Sequence, residues 1–316
     1  MQKRNRFFIT ALLVVLCHGI ANGQSTTALS ATSTVCPYAL ALDSHCNLYY
    51  GADAFATLFR YGVVKVDAIT GAQSTFAGST TSHGFSGNGG PATSALTGQI
   101  TSLAFDNAGN LFMSDFDNGV IWMVDGSGNI HIVAGTGTPG YRSADNGGPA
   151  TAAEINGTMS IAVDNSGNLY IIDEGENIVR VVSHASSLSG SISTFAGTPG
   201  TPGYTGDGSA ATGAKLNNPA LLACDADGNV YICDYSNNVI RQVSSGVINT
   251  FAGRTSLGIS ITSSTHITPT SANLSGVSGM VVDEVNNILY FGTTDGNCKY
   301  HAICVCIGRY GHYLQY

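Results

Sequence analysis

Carboxylates recur at fixed places in this sequence. Asp115 and Asp117 follow one apolar run, Asp173, Glu174 and Glu176 follow a second, and Asp234 follows a third. A carboxylate presented once per repeat, at one rim of a closed structure, would bind a cation such as calcium or a basic partner near the axis. The competing expectation is internal. Asp173 has Arg180 seven residues on, Asp234 has Arg241 at the same distance, and such pairs close as ion pairs. Trp122 holds that place after Asp115, so Asp115 is expected to lack the arginine partner.

The cysteines and histidines offer less. Cys298, His301, Cys304 and Cys306 form C-x2-H-x2-C-x-C, a set of zinc-type ligands whose last gap is tight. In an exported chain, disulfides joining Cys298, Cys304 or Cys306 to Cys36 or Cys46 are the better expectation, as is a Cys36–Cys46 bond. Cys224 and Cys233 sit in apolar runs and read as core thiols. No histidine lies in an HExxH, HxxEH or HxH spacing, and no Gly-x-Ser-x-Gly elbow exists. No catalytic residue or metal ligand is therefore assigned. No cofactor is expected, calcium at the carboxylate rim being the one open case.

Two further features point outward. The segment "AFATLFRYG" after Asp53 places Phe55, Phe59, Arg60 and Tyr61 together, and aromatics with arginine on an exposed loop are interface anchors. The alternative is a loop folded onto the neighbouring unit. Asn156-Gly-Thr and Asn273-Leu-Ser are acceptor sites for N-glycosylation in a eukaryotic host.

Bulk properties bound the function class. Lys3, Arg4 and Arg6 precede an apolar run from Phe7 to Cys17, and Ala21-Asn22-Gly23 offers a cleavage site before Gln24. This reads as a secretory signal, because the run is too short to span a bilayer. Removing it leaves nine Lys and Arg against twenty Asp and Glu, and seven of the eight cysteines. Such an acidic chain is a poor partner for nucleic acid. No later stretch is apolar and long enough to be a membrane helix. Charged residues make up only 10% and hydrophobic ones 43%, which argues for a packed domain.

The elements that must position these residues repeat. "DNAGNLFMSD", "DNSGNLYIID" and "DADGNVYICD" are near copies, and "DSHCNLYYGAD" and "DEVNNILYFGTTD" are looser ones. Their leading aspartates stand at 43, 106, 164, 225 and 283, or 58 to 63 residues apart. In the near copies Asp caps a turn whose Gly supplies a positive φ, so each is a β-hairpin. The second strand is apolar on both faces and must be covered on both. A third strand follows ("GVIWMV", "NIVRVV", "NVIRQV"), then a fourth ("STFAG", "HIVAG", "STFAG", "NTFAG"). Four antiparallel strands per roughly sixty residues is the blade pattern of an all-β propeller.

The stretch Ser193 to Val243, "STFAGTPGTPGYTGDGSAATGAKLNNPALLACDADGNVYICDYSNNVIRQV", resembles an NHL repeat in its secreted form. It carries that family's Phe-Ala-Gly strand end, Gly-Tyr-x-Gly-Asp-Gly loop, Asp-x-x-Gly-Asn-hydrophobic-Tyr hairpin and Asn-x-Ile-Arg strand. The resemblance covers about residues 37 to 297 and implies a β-propeller of four-stranded blades. Family members usually have six, and five repeats are visible here, so the ring is five-bladed or an incomplete six. The expected organisation is a signal over 1–23, a linker or edge strand over 24–36, the propeller over 37–297 and an irregular tail over 298–316. That tail offers two more strands, near Ala302 to Ile307 and near Gly311 to Tyr316. Some relatives are lyases with an axial metal held by His and Tyr, but no periodic position here carries His. The long Gly-rich segments between blades share one face with the second-to-third corners and are expected to bridge to the next blade. The resemblance is specific for fold and nearly silent on function, because propellers host many unrelated tasks; a secreted, non-catalytic interaction scaffold for protein or glycan is the expectation. A self-assembling extracellular component, as homo-oligomer or filament, and an axial metal-dependent enzyme are the alternatives.

Overall fold

The computed structural model describes residues 39–51, 61–79, 82–255, 269–283, 288–294, 300–306 and 314–315. Among these residues lie five antiparallel sheets, each built from consecutive strands. The first blade contains β1 (Leu40–Leu42), β2 (Leu48–Gly51), β3 (Tyr61–Val66) and β4 (Gln73–Ser79). The second contains β5 (Ile100–Phe105), β6 (Leu111–Asp115), β7 (Val120–Val124) and β8 (Ile130–Ala134). The third contains β9 (Ile161–Val163), β10 (Leu169–Asp173), β11 (Ile178–Val182) and β12 (Ile192–Ala196). In the fourth, a short β13 (Ser209–Ala210) adds an outer edge to β14 (Pro219–Cys224), β15 (Val230–Asp234), β16 (Val239–Ser244) and β17 (Val247–Gly253). The fifth contains β18 (Val277–Asp283), β19 (Ile288–Thr294), β20 (Tyr300–Cys306) and β21 (Leu314–Gln315).

The first strands of successive blades pack on one another, β1 on β5, β5 on β9, β9 on β14 and β14 on β18. That places every first strand innermost, as a propeller requires. The middle strands pay for this with apolar residues on both faces. β6, β7, β10 and β15 are buried along their whole length. Four apolar seams fill the spaces between consecutive blades, with Ile100, Met113 and Trp122 in the first and Ile161 and Ile171 in the second.

Within 298–316, the described residues 300–306 and 314–315 are strands. β20 pairs with β19 from Ile288–Cys306 to Thr294–Tyr300, and β21 pairs with β20. The two strands expected near Ala302 to Ile307 and near Gly311 to Tyr316 are thus present, and they extend the fifth blade past the boundary expected at 297. "HAICVC" is β-branched and apolar enough to pair although it matches no repeat.

The Asp-x-x-Gly-Asn turn works as its residues dictate. Asp106 Oδ1 accepts from the backbone N–H of Ala108 and Asn110 at 3.0 and 2.9 Å, and its Oδ2 accepts from Asn110 Nδ2 at 2.8 Å. Asp164 and Asp225 repeat this pattern. Glycine takes the left-handed position, at φ +84° for Gly109. In the first blade Cys46 takes that position at φ +62°. Cys46 is disulfide-bonded; Cys36 and Cys298, and the side chains of Cys304 and Cys306, lie outside the described residues.

One repeated bond was not foreseen. Tyr49, Tyr170 and Tyr231 donate their hydroxyls to the turn aspartates at 3.1, 3.0 and 3.0 Å. Each ring then meets the Phe of the fourth strand edge-on, as Phe76, Phe195 and Phe251. The signal was an Asp-x5-Tyr spacing in three of the repeats, broken by Phe112 in the second blade.

Candidate functional site

The second-to-third corners and the inter-blade loops share one face, as chain direction requires. Each loop folds onto the outer strand of the blade it precedes. Gly89, Gly147 and Gly208 donate backbone N–H to the carbonyls of Ile130, Ile192 and Ile248. A short helical turn in each loop buries Ala92, Ala150 or Ala211 in the seam between blades. The repeated Pro-Ala-Thr and Ala-Ala-Thr stretches are thus wedges.

The corner carboxylates anchor these loops from below. Asp115, Asp173 and Asp234 are fully buried. Asp115 Oδ2 accepts from Gly98 N at 2.9 Å, Asp173 Oδ1 from Asn156 N at 3.2 Å and Asp234 Oδ1 from Asn217 N at 2.7 Å. In all three the donor lies seventeen residues upstream. A β-bulge in the third-to-fourth strand pairing, at Ile121/Trp122, Val179/Arg180 and Ile240/Arg241, sits beside the residue that meets the carboxylate.

Each blade satisfies its carboxylate differently. In the fourth, Asn237 Nδ2 bridges Asp234 Oδ2 and the carbonyl of Gly203, both at 2.8 Å. Arg241 Nη1 lies 3.5 Å from Asp234, while its Nη2 donates to Asp207 Oδ1 at 2.6 Å. Burial pushes Asp234 up to about 6, against the pull of Asn237, Asn217 and Arg241. In the second blade, Asn118 repeats the bridge to Gly84, and Trp122 Nε1 donates to Asp115 Oδ2 at 3.0 Å. Asp115 thus does not want for a partner at that place: an indole N–H replaces the guanidinium, an option the sequence reading left out. Burial raises its pKa.

The third blade is the sparse copy. Glu176 stands where the other two have Asn118 and Asn237. Arg180 Nη1 comes only to 4.0 Å from Asp173 Oδ2, and that oxygen has no hydrogen-bond partner. Arg180 instead donates to the carbonyl of Glu154 at 3.0 Å and to Asn146 Oδ1 at 3.3 Å. Burial lifts Asp173 to about 7, with Arg180 and Asn156 lowering it and Glu176 raising it.

The rim of cation-binding carboxylates expected from the sequence is therefore not presented to solvent by Asp115, Asp173 or Asp234. Asp117 is exposed and caps Gln99 N at 2.9 Å. Glu174 and Glu176 are half-buried. Among the described residues no three His, Cys, Asp or Glu side chains gather as metal ligands. Phe55, Phe59 and Arg60 lie outside the described residues. Tyr61, expected on the same exposed loop, opens β3 instead: it is half-buried, and its ring lies 4.7 Å from His83. Asn156 is exposed, while Asn273 is half-buried and caps Ser275 N. Cys233 is buried and Cys224 half-buried, neither in a disulfide.

What sequence reasoning missed on this face are the loop aromatics. Phe85, Tyr141 and Tyr204 each follow a loop glycine, Gly84, Gly140 and Gly203. They cover Trp122 at 5.5 Å, Arg180 at 5.4 Å and Arg241 at 4.9 Å. Phe85 remains 41% exposed and Tyr204 38%.

Residues 196–298 match the model of the teneurin NHL domain. Over that stretch the chain resembles the NHL repeat, and its five sheets have the arrangement of a β-propeller. Its blades superpose on an auxiliary nutrient binding protein from Bacteroides ovatus, with TM-score 0.57 and 14% identity over 86% of this chain and 60% of that one. A protein of unknown function from Bacteroides thetaiotaomicron gives TM-score 0.55 and 18% identity, over 84% of this chain and 58% of that one. This propeller thus spans about three-fifths of the length of both. A chain of a nidogen/laminin complex gives TM-score 0.54 and 13% identity, over 89% of this chain and 83% of that one. At these identities the likeness is one of fold. No curated protein matches the sequence.

Proposed function

We propose that this NHL propeller is a secreted, non-catalytic scaffold that binds a protein or glycan through the face carrying the inter-blade loops. One observation carries the reading. The corner aspartates Asp115, Asp173 and Asp234 turn inward to hold the loops, while Phe85 and Tyr204 present aromatic surface from equivalent positions on the loops before the second and fourth blades. Rigid loops bearing exposed aromatics lose little entropy when a partner docks. The similar folds of a nutrient binding protein and of a nidogen/laminin complex support the reading by analogy of fold. The basic and apolar start of the chain supports the secreted part of the reading, which calls for no bound cofactor.

The test is a glycan array together with crosslinking to extracellular-matrix proteins, run on the purified chain and on Phe85→Ala. The reading expects binding to weaken about tenfold or more, the typical effect of removing an aromatic anchor, with melting little changed. Wild-type binding by the variant, to whatever the propeller captures, would overturn it. Dialysis against a chelator should leave both binding and melting as they were.

A further inference from the structure

The three corners form an internal comparison, and the third differs in a way that has a consequence. Asp115 receives Gly98 N, Asn118 N, Asn118 Nδ2 and Trp122 Nε1. Asp234 receives Asn217 N and Asn237 Nδ2, with Arg241 beside it. Asp173 receives Asn156 N alone, over a long 3.2 Å, and its other oxygen is orphaned in a fully buried place. A buried carboxylate with so few donors holds its charge at a high desolvation cost.

We propose that Asp173 is a proton-operated latch on the loop that carries Asn156: ionised, it grips the Asn156 amide through a charge-assisted bond, and protonated, it relaxes that grip. The inference stands whether or not this face binds a partner.

The surroundings favour a proton over a metal ion. Among the described residues, Arg180 on β11 is the one cation facing Asp173, and it would repel a second. Burial lowers the pKa of Arg180, while Asp173, Tyr141 and Asp145 raise it. Glu174 and Glu176 approach from the corner itself. From the loop come Tyr141, Asp145 and Glu154, the last paired with Arg142 at 2.6 Å. β14, packed against β10, has Cys224 as its one titratable side chain. Glu176 is the group that sets this corner apart. It adds a like charge and removes the amide donor that the other corners have.

The sign follows from the folded group binding its proton more tightly than the unfolded one. Its contribution to stability is fully present below the unfolded value of 3.8 and is lost as pH rises through about 7. The whole fold therefore gains from this group as pH falls, while the Asn156 bond, losing its charged acceptor, weakens.

The decisive variant is Glu176→Asn, which gives the third corner the residue of the other two. Urea unfolding of the full chain between pH 5 and 8.5 would be compared for the wild type, Glu176→Asn and Asp173→Asn. On folding, the wild type should take up close to one more proton than Asp173→Asn at pH 5 to 6, falling to about half a proton at pH 7. In Glu176→Asn that uptake should move down by at least one pH unit. Hydrogen exchange, corrected for its intrinsic pH dependence, should show residues 154–158 losing protection on acidification in the wild type but not in Glu176→Asn. Should Asp173→Asn fail to fold, the Glu176→Asn comparison decides alone. Parallel pH profiles of wild type and Glu176→Asn, or equal protection of that segment, would overturn the latch.

Discussion

Replacing Arg241 by Met tests how the fourth corner is held together. The substitution keeps an apolar stem and removes only the guanidinium. That group is fully buried, 2.6 Å from Asp207 and 3.5 Å from Asp234, under the ring of Tyr204. Its two carboxylate partners would respond differently. Asp207 is 44% exposed and can rehydrate, whereas Asp234 is fully buried and cannot. The loss is then mostly that of one stranded carboxylate. Removing one partner of a buried pair costs about 3–5 kcal/mol, and the low end applies because Asp207 escapes. A loss of about 3 kcal/mol corresponds to roughly 6–12 °C in Tm for a domain of this size. The loss should also depend on pH. Asp234 sits at about 6 with Arg241 present, raised above the unfolded 3.8, and removing the cation raises it further. Stability from such a group is present at low pH and lost as pH rises through the folded value. The deficit of Arg241→Met should therefore be small at pH 5 and complete at pH 8, read by urea unfolding. A loss below about 1 kcal/mol at pH 8, or one independent of pH, would refute this reasoning.

Two other expectations follow from the backbone. Gly135 ends the fourth strand of the second blade at φ +94°, and a Cβ there would press on the carbonyl of Gly119 and lie 2.7 Å from Val120 Cα. Gly135→Ala should thus lose at least about 3 kcal/mol, strain plus clash, while Gly167→Ala, at φ +78° in open space, should lose only about 1–2 kcal/mol; thermal melts of the pair check the ranking. Ser102 Oγ accepts from Ile161 N and Ser160 Oγ from Leu222 N, both at 3.1 Å, so each serine ties its inner strand to the next blade. Either serine changed to Ala should destabilise by about 1–3 kcal/mol and speed exchange at the orphaned amide, read by hydrogen-exchange mass spectrometry.

Much of the architecture was legible because it rests on local rules. The turn aspartate and glycine report their hairpin within five residues, and apolar strands with no polar face report a layered neighbour on each side. The site was less legible because its bonds join residues far apart. Nothing near Gly98, Asn156 or Asn217 announces that its amide will meet a carboxylate seventeen residues later. The pairing of Asp234 with Arg241 was readable from spacing, since strand register puts such residues side by side. The absence of an arginine beside Asp115 was readable from Trp122 as well, but the indole bond was not, because a search for counter-charges overlooks a neutral donor. Tyr61 was misread because its aromatic neighbours made a β-strand start look like part of a loop.

The three corners also show which part of the device is fixed. The residue facing the carboxylate changes from Trp122 to Arg180 to Arg241, and the loop acceptor that the arginine reaches changes from Asn146 to Asp207. Net charge at the corner changes with them, so charge balance is not what the repeats preserve. The aspartate and its bond to an upstream amide persist in all three. A backbone amide left without an acceptor where water cannot reach it costs about 1–3 kcal/mol. The carboxylate meets that demand in every blade. Its own desolvation is then relieved by whichever donors the local sequence supplies: an indole and an amide, a guanidinium and an amide, or, in the third blade, a distant guanidinium alone. The demand of the loop amide explains why Asp is repeated, and the freedom of its partners explains why one copy is left responsive to protons.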